Sequence, residues 1–167
     1  MAFVTPPMRW DHRPEAADWT SSTLVAISTK DSLLSGQVPA DIATWCPAYP
    51  AADLSARRAF WSGLLSAVAK YESTWNPAAS GGGGRWIGLM QISPGTAANY
   101  GCTATSVAAL KDGTANLKAE ESEALRARVL LQRYSMGLDE VAEQALGDLG
   151  SDNADIQLLL VVGSARG

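Results

Sequence analysis

Histidine is almost missing from this chain: His12 is the single example among 167 residues. Cysteine is nearly as scarce, with only Cys46 and Cys102, far apart in sequence. A structural or catalytic metal centre needs several such ligands, and a serine or cysteine nucleophile needs an imidazole beside it. Neither arrangement can be assembled from this inventory, so no metal and no other cofactor is expected. The two cysteines allow one disulfide or two small buried thiols, and both readings stay open. Basic residues are outnumbered, 13 against 17 acidic, for a net charge of −4 and a pI near 4.9. With no basic stripe to neutralise phosphates, nucleic acid is not expected as a partner. No apolar run reaches the length of a membrane span. The opening MAFVTPPMRWDHRP is interrupted by Pro6-Pro7 and has too short an apolar stretch to read as a secretory signal.

What is present describes one globular domain, 1–167. Apolar residues make up 47% and charged residues 18%, enough for a real core and wrong for a disordered chain. The acidic excess falls wholly after residue 100. Ala16 to Leu34 reads as a first helix, ending around Asp31-Ser32 and Gly36. Pro39 to Pro50 is bounded by prolines and holds a short turn at most. Its Trp45 and Tyr49 are read either as core cover or as cleft lining. All six tryptophans lie between Trp10 and Trp86.

One stretch, 54–94, carries the chemistry. From Leu54 to Tyr71 the spacing predicts an amphipathic helix in which Phe60, Leu64 and Val68, four apart, share a face. The next step of that row is Glu72. Pro77 disfavours helix at Asn76, so Glu72 is expected in the last turn, half-buried, near the negative end of the helix dipole. Both conditions disfavour a carboxylate and raise its pKa, as a general acid requires. The glycine run Gly81 to Gly84 follows no strand and precedes no Gly-Lys-Ser/Thr, so it is not a nucleotide loop. It reads as a flexible lip, with a small hairpin near Arg85–Ile92.

In order and spacing, Glu72-Ser73, Trp75-Asn76-Pro77, Ser80 and Gly88-Leu89-Met90-Gln91-Ile92-Ser93-Pro94 resemble the goose-type lysozyme and lytic transglycosylase (SLT) superfamily. Thr96-Ala97, Tyr100-Gly101 and Asn116-Leu117 are similar to the family's following helices. The resemblance implies a mainly α, lysozyme-like single domain with at most a small β-hairpin beside the cleft. Its core motif spans 54–117. Glu72 takes the place of the sole catalytic acid, acting on the bond between N-acetylmuramic acid and N-acetylglucosamine and leaving 1,6-anhydro ends. Ser73, Met90, Gln91 and Tyr100 are the implied substrate-binding residues, and peptidoglycan glycan strands the implied partner. Trp75 and Trp86, which flank the acid in sequence, are read either as core aromatics or as cleft aromatics on which sugars stack. One carboxylate then suffices where most glycosidases use two, because a substrate hydroxyl replaces water.

The tail, 118–167, matches the family poorly. Helices are read over 114–135, 138–149 and 155–162. The Ala-Tyr-Asn-Ala-Gly segment usual in the family has no counterpart after Ser135, where no aromatic residue occurs. Either the cleft is completed differently or the chemistry is impaired. A hydrolase on the same scaffold and a non-catalytic wall-binding or virion module are the alternatives. The expected place of action is the cell wall, periplasmic or virion-associated, in the manner of phage-type enzymes.

Overall fold

The computed structural model describes residues 5–119 apart from 33, 40, 41 and 100, and apart from the side chains of 44 and 45. The readings for Tyr100, for the Trp45 side chain and for the 120–167 tail lie outside these residues.

The architecture is mainly helical with one two-stranded hairpin, the lysozyme-like plan. In order come α1 (Ala16–Ser28), α2 (Ile42–Trp45), a 3₁₀ turn (Tyr49–Ala51), α3 (Leu54–Ser73), β1 (Ser80–Gly81), β2 (Trp86–Ile87), α4 (Pro94–Asn99) and α5 (Val107–Leu110). A further helical run covers 113–119. Among the described residues no helix is long and apolar enough to cross a membrane.

Helix α3 is the axis of the domain. Asp53 caps its start, accepting a 2.8 Å hydrogen bond from the Ala56 N–H. From Ala59 to Ala67 every residue is buried, so this segment is enclosed on all sides rather than amphipathic as its spacing suggests. The reason is that its polar positions are small and internally satisfied. The Ser62 and Thr23 hydroxyls meet at 2.6 Å. Thr23 itself donates to Thr20 O, so Ser62 is the donor of that pair. The Ser66 hydroxyl donates to Gly63 O at 2.7 Å. With no unpaired hydroxyl, this polar face can be covered by α1 at little cost.

Helix α1 stops at Ser28, earlier than the sequence suggests. The Ser28 and Thr29 hydroxyls bond back to the carbonyls of Val25 and Ala26, and such back-bonding competes with helix continuation. Residues 35–50 are strapped to α3 by Arg57, whose guanidinium donates to Tyr49 O, Pro50 O and Ser35 O. Tyr49 resolves to the core. It is fully buried, packs edge-on to Phe60 and Trp61, and accepts the Trp61 indole N–H at 2.8 Å. Trp10 and Trp19 are core residues too, 0% and 2% exposed. Cys46 and Cys102 are free thiols; burial pushes Cys46 up to about 11 and keeps it neutral.

Asp31, just after α1, is gripped by Arg58 of α3 through both carboxylate oxygens. Those hydrogen bonds hold its carboxyl below the usual carboxylate range. A lowered folded-state pKa gives stability that is complete above the unfolded value and is lost as pH falls through the folded one. Asp31→Asn should therefore cost about 0.5–1 kcal/mol in urea unfolding at neutral pH. The gap to the parent should close as pH falls through and below the ordinary carboxylate range. A gap that persists unchanged at low pH contradicts the ion-pair account.

Candidate active site

The row read from sequence emerges from the core in steps. Phe60 is 1% exposed, Leu64 7%, Val68 is half-buried, and Glu72 is half-buried in the last turn of α3. The helix does not wait for Pro77 to end it. Thr74 and Trp75 both adopt left-handed backbone, φ 51° and 57°, and return their N–H groups to Lys70 O and Ala69 O. Two successive left-handed residues without glycine, one β-branched and one bulky, store about 1–3 kcal/mol each and persist only where neighbours over-determine them.

Ser73 is one such neighbour. Its hydroxyl donates to Leu89 O at 2.7 Å, with Ala69 O at 3.2 Å as the weaker branch of the same proton, and accepts the Asn76 N–H. It therefore joins the helix end to the returning Gly88–Ile92 segment, and this positioning work occupies the oxygen that the sequence reading offers to substrate. Trp75 is half-buried, with its indole N–H on Ser66 O at 2.8 Å. Asn76 closes the following turn through its side chain, accepting the Ala78 N–H.

The hairpin lies earlier than expected. Ser80 pairs with Ile87 and Gly81 with Trp86, while Ile87 and Ile92 form an isolated bridge at its base. Gly82, Gly83 and Gly84 are all left-handed, a run that side chains would resist, and this is what turns the chain back. Trp86 is 41% exposed. Its indole lies over Gly82, where a Cβ would come within 2.6 Å of Cδ1, so one part of the ring rests on glycine backbone and much of it faces solvent.

The return segment is held by a residue the site prediction leaves out, Asn116. Fully buried on the 113–119 helical run, it accepts the Met90 N–H at 2.7 Å and donates to Ile87 O and Leu110 O, each at 2.9 Å. Gly88, φ 83°, fits against it because a Cβ there would overlap Leu110 O and Asn116 Nδ2. The Asn-Leu pair at a helix start is the sequence signal for it. Met90 is 4% exposed, so its side chain packs in the core where a cleft-lining role is expected from sequence. Gln91 is half-buried with left-handed backbone, φ 53°. Its amide donates to Gly88 O at 2.9 Å, and its Oε1 lies against Gly81. The structure thus brings Ser73, Gln91 and Trp86 onto one knot of chain around the end of α3. Among the described residues no group of three or more His, Cys, Asp or Glu could hold a metal ion.

A central helix with a glutamate in its last turn, tied to a glycine-turned hairpin, is the lysozyme-like plan. The chain matches the transglycosylase SLT domain over residues 51–139, more than half its length, and it belongs to that family. Solved structures of Bd0314 DslA share the fold. One glutamate-to-glutamine mutant is 25% identical with a TM-score of 0.69, covering 85% of this chain and 82% of that one. A second such mutant is 22% identical with a TM-score of 0.71, covering 93% and 99%. A wild-type form is 23% identical with a TM-score of 0.69, covering 83% and 81%. No curated protein matches the chain.

Asn116→Ala would strand the Met90 N–H and the Leu110 carbonyl in the core, while Ile87 O keeps the Ile92 N–H. At about 1–3 kcal/mol for each buried group left unpaired, chemical denaturation should register a loss of about 2 kcal/mol or more. A loss under about 1 kcal/mol would mean water or a relaxed backbone replaces the amide.

Proposed function

We propose that this protein is a peptidoglycan lytic transglycosylase whose single catalytic carboxyl is Glu72. The observation that carries the proposal is the position of Glu72, half-buried in the last turn of a helix whose middle, Ala59 to Ala67, is enclosed by the core. There the negative end of the helix dipole and partial desolvation both oppose a carboxylate. Membership of the SLT family supplies the chemistry to test.

In this reading Glu72 gives its proton to the glycosidic oxygen linking N-acetylmuramic acid to N-acetylglucosamine, and the bond to C1 breaks. The carboxylate so formed takes the proton of the muramic C6 hydroxyl. That oxygen then closes on C1, leaving a 1,6-anhydro ring and restoring the acid. No water is consumed and no second carboxylate is needed, unlike paired-carboxylate hydrolysis. Trp86, exposed beside the glycine turn, offers a ring face on which a pyranose can stack. Gln91 presents an amide for the N-acetyl groups, and Ser73 fixes the distance between helix end and return segment. The wall is then the place of action.

The experiment is digestion of purified peptidoglycan by the parent and by Glu72→Gln, with products weighed by mass spectrometry. The parent should release anhydromuropeptides, and the variant should be slower by about 10²–10⁴-fold. Reducing ends from the parent would make it a hydrolase. Binding without cleavage would make it a wall-binding module, consistent with the absent Ala-Tyr-Asn-Ala-Gly segment.

A further inference from the structure

His12 stands sixty positions before Glu72 in sequence and is exposed, yet it meets the end of α3. Its ring packs edge-on to Trp75, with centroids 4.6 Å apart and planes at 75°. Its Nδ1 lies 3.1 Å from Arg9 O, and since a carbonyl only accepts, the nitrogen is the donor and carries a proton. The Arg9 N–H in turn donates to the Ser66 hydroxyl at 3.0 Å. The Ser66 carbonyl receives the Trp75 indole N–H at 2.8 Å. These contacts close a ring, from Ser66 to Arg9 to His12 to Trp75 and back to Ser66. It joins the N-terminal segment to both sides of the last turns of α3. The segment is itself well anchored, because Met8 and Trp10 are buried and the Trp10 indole N–H donates to the Thr20 hydroxyl.

We propose that His12 is a positioning residue for Glu72, acting through Trp75; this rests on the reading of Glu72 as the acid. Trp75 is the second of two successive left-handed residues that begin one residue past the acid, after Ser73, and neither is glycine. Such a turn unwinds unless its side chains are held. The indole hydrogen bond fixes one edge of Trp75, and the imidazole fixes the ring against rotation about that bond. With His12 removed, the indole can swing, the turn relaxes, and the last helical turn bearing Glu72 loses its fixed end. The carboxyl then samples positions displaced from the glycosidic oxygen, a shift to which acid catalysis is steeply sensitive. His12 itself never touches substrate in this scheme.

The test compares the parent, His12→Ala, Trp75→Phe and the double variant, by kinetics on peptidoglycan and by backbone amide NMR. With His12→Ala, kcat should fall about tenfold while KM stays within about twofold, since binding is untouched. Trp75→Phe keeps a ring but loses the indole donor, and adding His12→Ala to it should cost little more, because both act through one element. The amide signals of Glu72, Ser73, Thr74 and Trp75 should move in His12→Ala while those of α1 stay in place. His12 is the sole histidine, so its imidazole resonances are assigned without ambiguity and should leave their ring-shifted positions in a Trp75→Leu variant. Unmoved amides at 72–75, fully additive kinetic losses, or a raised KM at constant kcat would each overturn the proposal. An inactive parent would instead remove the reading of Glu72, and the amide shifts would still decide whether His12 holds the turn.

Discussion

One buried amide determines where two segments of this domain meet. Asn116 satisfies a backbone N–H at Met90 and carbonyls at Ile87 and Leu110, so the return of the hairpin and the approach to the 113–119 helix share one fixed reference. An apolar side chain of similar size would leave the Met90 N–H and Leu110 O unpaired in the core, where each carries its full desolvation penalty, and would leave Ile87 O with the Ile92 N–H alone. Gly88 is glycine because the amide is there, and the next residue's carbonyl, Leu89 O, accepts the Ser73 hydroxyl. Along that chain of contacts the end of α3 is held to the hairpin, and with it the glutamate on its last turn.

The end of α3 is thus braced from two directions. Ser73 ties it forward to the return segment, and the Arg9–His12–Trp75–Ser66 ring ties it back to the N-terminal segment. Between these braces sits a strained pair of left-handed residues. Strain of that kind survives only under such constraint, and its place directly after the carboxyl-bearing turn is where a catalytic group gains most from a fixed backbone. Tryptophan use follows the same division. Trp10, Trp19 and Trp61 fill the core, Trp75 braces the helix end, and Trp86 keeps much of its ring exposed beside the glycine turn.

Much of this was legible in the sequence where the determinants are local. The row Phe60, Leu64, Val68, Glu72 needs only helical period, and its graded emergence from the core follows. The mainly helical fold and the SLT family were readable from a motif confined to a short span. What escaped was non-local or conformational. The burial of α3 on all sides over Ala59–Ala67 depends on Ser62 finding Thr23 on another helix, a match that periodicity does not encode. Strands of two residues are too short for an alternation signal, so the hairpin lies at Ser80–Ile87, set by three left-handed glycines rather than by side-chain pattern. His12 in sequence is one polar residue in a charged stretch, and only folding brings it onto Trp75.

The central claim is that this brace work serves one carboxyl at residue 72. A crystal structure of Glu72→Gln with a bound peptidoglycan tetrasaccharide tests it most directly, since the swap keeps shape while stopping turnover. The account predicts a glycosidic oxygen within about 2.6–3.2 Å of the residue 72 amide, with a sugar ring against Trp86. A saccharide bound elsewhere, or threaded past α3 with no bridging oxygen near residue 72, would contradict it.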